Sequence, residues 1–132
     1  MPSLRKEIGE QPKIKDSGNR RNFRTGAVRD IATGKGRMDL LPWRALMVLS
    51  QHFEEGAIKY GENNWKKGIP LHCYLDSGLR HAAKVANGEN DEPHLRAVVW
   101  NFLCMLETAI MIRNDQLPSE LNDINFDLET MI

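Results

Sequence analysis

Apolar residues recur three or four apart along three stretches of the chain. Leu46, Leu49, Phe53, Ala57 and Tyr60 make one stripe, which predicts a helix opened by Pro42 and running to about Lys59. Tyr60-Gly61 stops it, with Gly61 in the position of an αL cap. Leu75, Leu79, Ala82, Ala83 and Ala86 make a second stripe, opposite Asp76, Arg80, His81 and Lys84, over a helix from about Tyr74 to Ala86 that ends at Asn87-Gly88. Pro93 begins a third helix, to about Arg113, with Leu95, Val98, Val99, Phe102, Leu106, Ala109 and Ile110 as its core stripe. His94 and Asn101, seven apart, line one edge of that stripe. Residues 1–22 lack periodicity and read as an arm or as disorder. The segment from Asn114 holds five acids and no basic residue, and reads as a short helix or an extended tail.

The pattern therefore predicts an all-α bundle, with no sheet beyond a short hairpin in the arm. Its divisions are an irregular N-terminal arm over 1–41, a helical core over 42–113 and an acidic tail over 114–132. Three helices of these lengths hardly enclose a full core. Met47, Val48 and Ile58 add a second apolar side to the first helix. Both features point to completion of the bundle by association between subunits.

Composition changes little in this picture. At 132 residues the chain fits one domain with a modest core. No apolar run reads as membrane-spanning and the N-terminus lacks a signal-peptide pattern, so no membrane partner is expected. Cys73 and Cys104 show neither metal spacing nor a disulfide framework, which predicts a reduced, cytoplasmic protein. Net charge is zero but unevenly spread. Residues 1–37 hold ten Lys or Arg against four Asp or Glu, and the remainder eight against fourteen. A basic arm on an acidic body suggests an anionic ligand near the arm, a solvated arm being the plainer alternative. The acidic body argues against a duplex nucleic-acid footprint.

The candidate chemistry lies in polar residues on or beside the helices. By helical geometry Glu54 sits on the edge of the first stripe and Glu55 nearly opposite, where Lys59 is placed to pair with it. A carboxylate beside a core stripe is costly unless paired or metal-bound. Glu89, Asp91 and Glu92 form an acidic turn before the third helix, where carboxylates also suit a helix N-terminus. With His81, His94 and Asn101 these residues make a constellation whose hard oxygen donors suit Mg2+ or Mn2+ rather than zinc. Carboxylates around such an ion, with basic residues near, are a usual arrangement for hydrolysing a phosphoanhydride. Gly34-Lys35-Gly36-Arg37 offers exposed amides and two cations to a phosphate, but lacks the spacing of a P-loop and reads equally as an ordinary surface loop.

Several motifs occur in order over residues 23–107. They are Thr-Gly-Ala-Val-Arg-Asp, Gly-Lys-Gly-Arg-Met-Asp-Leu-Leu-Pro, Glu-x-Gly-Ala-x-Lys-Tyr-Gly-x-x-Asn-Trp, Arg-His, Gly-Glu-x-Asp, His-Leu and Trp-Asn. In these the chain resembles the phage dATP/dGTP diphosphohydrolases, MazG-like all-α nucleotide pyrophosphohydrolases that include the MazZ type. The resemblance implies hydrolysis of a purine deoxynucleoside triphosphate, dGTP and perhaps dATP, to the monophosphate and pyrophosphate. It also implies Mg2+ or Mn2+ and a dimer or tetramer. On that reading Glu54, Glu89 and Asp91 are the first metal-ligand candidates, with Glu55 and Glu92 next. Lys35, Arg37, Lys59 and Arg80 are phosphate candidates. Asn64 and Trp65 are base-pocket candidates, and His81, His94 and Asn101 are further substrate contacts. The broader Glu-Glu-x-x-Glu pattern is incomplete, because Ile58 stands where its third Glu would be. Two alternatives remain at this point. A histidine-aspartate triphosphohydrolase would need a His-Asp dipeptide, which is absent. A nucleotide or nucleic-acid binding module would act without catalysis.

Overall fold

A computed structural model describes residues 13–132. The chain divides into two compact units, Met1–Leu41 and Pro42–Ile132. The expected irregularity of residues 1–22 lies, for 1–12, outside the described residues. In the first unit, β1 (Arg20–Asn22) and β2 (Val28–Asp30) form an antiparallel hairpin, with Arg20 opposite Asp30. The turn closes through Phe23, whose N–H donates to the Ala27 carbonyl, and through Gly26 at φ 88°. Both strands are exposed almost throughout, so polar contacts hold this unit. Asp30 accepts from the N–H and hydroxyl of Ser17, and Asp16 pairs with Arg20.

The second unit is helical, with α1 over Trp43–Tyr60, α2 over Leu71–Ala86 and α3 over His94–Arg113. α1 and α3 begin one residue after a proline, as expected. α2 starts three residues earlier than its periodicity suggested, because Pro70 opens it and Leu71 is buried at its first position. Gly61 ends α1 at φ 95° and ψ 153°, positive in φ but outside the αL region. A short 3-10 turn, Asn64–Lys67, and Gly68 at φ 110° carry the chain to α2.

The faces the helices turn to one another differ from the expected stripes. On α3 the buried positions are His94, Ala97, Asn101, Cys104, Thr108, Ala109 and Ile112. Small and polar residues dominate that face, while Leu95, Val99, Phe102, Leu103 and Leu106 are exposed within the unit. Close approach explains the inversion. A Cβ on Gly78 of α2 would stand 2.7 Å from the Phe102 ring, so the α2–α3 crossing has no room for a stripe of large side chains. α2 is rotated correspondingly. It buries Leu71, Tyr74 and Gly78 and half-buries His81, leaving Leu79, Ala83 and Ala86 exposed. His81 was expected on the polar side. α3 is also long and apolar enough, by length and composition, to cross a membrane, which corrects the expectation that no such run exists.

The C-terminal segment is neither a regular helix nor a free tail. With a 3-10 turn at Ser119–Leu121, it packs Leu117, Leu121, Ile124, Phe126, Leu128 and Ile132 against Leu71, Ala109 and Ile112. Its Asp123 accepts the His72 N–H at 3.0 Å and contacts the His72 ring, so a carboxylate from 51 residues away caps the N-terminus of α2. This packing fills one end of the helical unit. The polar residues collect at the other.

Candidate active site

Two adjoining cavities open on the α1–α3 side of the helical unit. The larger, about 580 Å3, is lined by Phe53, Trp65, Tyr60, Trp100 and Ile69, with Glu62, Asn63 and Asn64 at its loop side. Phe53 meets Trp65 edge-on at 6.2 Å and lies 6.1 Å from Trp100. Asn63 at φ 58° turns the loop so that Asn64 and Trp65 reach the wall. The smaller cavity, about 300 Å3, is lined by His52, Glu55, Lys59, Ser77, His81, Glu92 and Asn101. Gly56, Tyr60 and Trp100 belong to both walls. An aromatic chamber thus shares a wall with a charged one. The Trp100 indole N–H, on that wall, is buried without an acceptor among the described residues.

The two glutamates of α1 exchange places relative to expectation. Glu55 lines the polar cavity and pairs with Arg96 of α3. Glu54 is exposed and lines neither cavity. The physical reason is the breadth of the inward face. α1 turns its expected stripe inward at Leu46, Leu49, Phe53 and Ala57, and that face extends through Gly56 and His52, which carries Glu55 toward the site and leaves Glu54 outside. The expected Glu55–Lys59 pair is replaced by Glu55–Arg96. Lys59 instead lies 5.0 Å over the Tyr60 ring, and the Tyr60 phenol raises its pKa.

Asp91, Glu92 and His94 place one ligand atom each within 4.8 Å of one another. His94 is buried, whereas both carboxylates are exposed. His94 has little left to offer an ion, since Nε2 lies 2.7 Å from Asp91 Oδ1 and Nδ1 lies 2.9 Å from His81 Nδ1. Asp91 is held below the usual carboxylate range by the His94 contact. Glu89 lies outside this group and lines neither cavity. The carboxylates of Asp91 and Glu92 are hard oxygen donors of the kind that suit a divalent ion such as Mg2+ or Mn2+.

Among the other expected contacts, Asn101 is buried on the polar cavity and donates one amide N–H to the Ala97 carbonyl at 2.8 Å. Arg80 is engaged by Asp76 and lines neither cavity. In the first unit Lys35 lies 3.9 Å from Asp30, and Arg37 makes a two-pronged contact with Asp39 at 2.8 and 2.7 Å. Both cations therefore already have carboxylate partners.

His52 and Arg96 were missed in the sequence. Arg96, its side chain only 12% exposed, donates to Gln51, Glu55 and, at 3.2 Å, to His52 Nδ1. The His52 ring lies 5.4 Å from that of Trp100, tilted by 40°. Burial first, then the Arg96 charge, lowers the His52 pKa. The available signal was an Arg one turn into an otherwise apolar helix, where a desolvated cation needs partners.

With this geometry in hand, residues 25–116 match the family described as dATP/dGTP diphosphohydrolase, N-terminal, over well more than half of the chain. The chain belongs to the dATP/dGTP diphosphohydrolase family. The matched span includes all three helices of this family member, both cavities and the Lys35–Arg37 loop. No curated protein and no solved structure matches the chain.

Proposed function

We propose that this protein hydrolyses a purine deoxynucleoside triphosphate, dGTP foremost and dATP with it, to the monophosphate and pyrophosphate, with Mg2+ or Mn2+ bound. The observation that carries the reading is the shared wall between an aromatic cavity and a charged one. The cavity walled by Phe53, Trp65 and Trp100 would take the purine, with Asn63 and Asn64 on its loop side to meet the polar edge of the base. The triphosphate then runs past Tyr60 and Gly56 into the cavity of Glu55, Lys59, His52 and His81. Lys59 supplies a cation there. Glu55, Glu92 and Asp91 would hold the divalent ion, which when bound neutralises phosphate charge. The family description supports the same chemistry.

The functional unit is a homo-oligomer, dimer or tetramer. Supporting this is the exposed face of Leu95, Val99, Phe102, Leu103 and Leu106 on α3, with Met47 and Ile58 on α1.

The test is a panel of the four deoxynucleoside triphosphates with either metal, read by product identification. Purine monophosphate plus pyrophosphate is the expected result. Release of inorganic triphosphate would mark a different hydrolase, and comparable turnover of dCTP or dTTP would overturn the purine assignment.

A further inference from the structure

Two of the three helices carry a glycine in their interior, Gly56 in α1 and Gly78 in α2. Such a glycine destabilises a helix relative to alanine. For Gly78 the Phe102 ring supplies the reason, since it occupies the space a Cβ would need. Gly56 has no such reason within the described residues. Beyond its chain neighbours and the α1 backbone, a Cβ there would meet nothing within 4 Å. The space beside it belongs to the site, because Gly56 lines both cavities. Helical geometry places it between them. Taken around the α1 axis at about 100° per residue, Glu55, Lys59 and His52 come first, then Gly56 and Tyr60, then Phe53 and Ala57. The first three line the polar cavity alone, and the last two the aromatic cavity alone. Gly56 and Tyr60 fall on the boundary, and they are the α1 residues common to both walls.

We propose that the sugar ring of the nucleotide rests against the bare backbone of α1 at Gly56, which makes Gly56 a binding and specificity-determining position. The proposal rests on the purine triphosphate reading of this site. With the base in the aromatic cavity and the phosphates in the polar one, the sugar that joins them crosses the boundary between the two. A methyl group at position 56 would stand in that path. Close approach of a ligand to the backbone is one of the uses of glycine, and here it accounts for the helical stability that Gly56 gives up. Gly56 offers the sugar no side-chain donor or acceptor, so recognition at this point is by shape.

Gly56→Ala puts a methyl group in that place. Because the space is empty in the protein and alanine favours the helix, the urea midpoint of the variant should equal or exceed the parent's. Its KM for dGTP should rise about tenfold, the effect of overpacking by one methyl group, with kcat within about threefold. A guanine triphosphate whose sugar ring is replaced by an open chain has little to place at Gly56. As a competitor of dGTP hydrolysis it should keep its inhibition constant within about threefold between parent and variant. A dGTP KM within about threefold of the parent's overturns the proposal, and so does an equal loss for the open-chain nucleotide. A lowered urea midpoint overturns it too, since the space would then already be filled within the protein. A parent chain inert toward every nucleotide overturns the hydrolytic function instead. The nucleotides then survive titration with Mg2+, and the dissociation constants of parent and variant decide the sugar contact by the same margins. A parent that binds neither nucleotide overturns the contact as well.

Discussion

Glu54 and Glu55 are neighbours in the chain and differ in what they touch. A carboxylate can serve a phosphate-bound ion only if it reaches the phosphates, and of the two only Glu55 lines the polar cavity. It is also fixed by Arg96, so little side-chain freedom remains to be lost on binding. Glu55→Gln should therefore lower pyrophosphate release by roughly a hundredfold or more, while Glu54→Gln stays within a few-fold of the parent. Parallel assays across a Mn2+ titration check this, and the opposite ranking would sink the assignment. Sequence periodicity placed the α1 stripe correctly at Leu46, Leu49, Phe53 and Ala57 but not the extension of the inward face through Gly56 and His52, which brings Glu55 rather than Glu54 to the cavity. The doublet itself, Asn64, Trp65, His81 and Asn101 could be picked out as residue types in the wrong company, and all but Glu54 line a cavity. Arg96 carried such a signal as a cation near the start of a largely apolar helix, whereas His52 carried none, since its significance lies in a contact with a residue 44 positions away.

At the scale of elements, helix number, order and approximate ends were legible because Pro42, Pro93, Gly61 and Asn87-Gly88 punctuate the chain. The inward face of α1 was legible too, but the faces of α2 and α3 were not, and neither was the packed C-terminal segment. Its apolar residues follow no helical period and take their places only against Leu71 and Ile112. Two predictions belong to that junction. Gly68 has φ 110°, and a Cβ there would stand 2.9 Å from Leu121 and 3.3 Å from Leu117. Gly68→Ala should cost about 1–3 kcal/mol from backbone strain and overpacking, read as a shift in urea midpoint. A neutral result would mean the segment is not seated on this turn. Asp123, bonded by the His72 N–H, is held below its ordinary value of 3.8. The folded chain thus keeps it charged at pH values where the unfolded chain has begun to protonate it. Its stabilising contribution is present in full above the unfolded value and is lost as pH falls through the folded one. Asp123→Asn should lower the thermal midpoint at neutral pH, with the gap to the parent closing in acid. A gap that stays constant as the pH falls through the acid range would place the effect in packing rather than charge.

The helical unit has an α3 whose inward face is mainly small and polar and whose outward face carries several large apolar side chains. Within one copy that arrangement wastes hydrophobic burial, since Leu95 is 65% exposed, Met47 70% and Ile58 82%. A second copy laid along α3 would cover Leu95, Val99, Leu103 and Leu106, which recur at helical spacing. The polar cavity would be spared, because it is built from the opposite stripe of the same helix, through Ala97 and Asn101. The parent chain should therefore sediment at micromolar concentration as a multiple of 15.1 kDa. Val99→Glu puts a charge in the middle of the proposed contact while leaving the His94–Asn101 face untouched. It should shift the sedimenting species to the monomer, and the helical circular dichroism should remain if the fold itself is independent of the contact. A parent chain that sediments as a monomer would remove the interface outright. A Val99→Glu variant that keeps the parent's mass would move it from α3 to the Met47 and Ile58 side of α1, where Ile58→Glu provides the corresponding test.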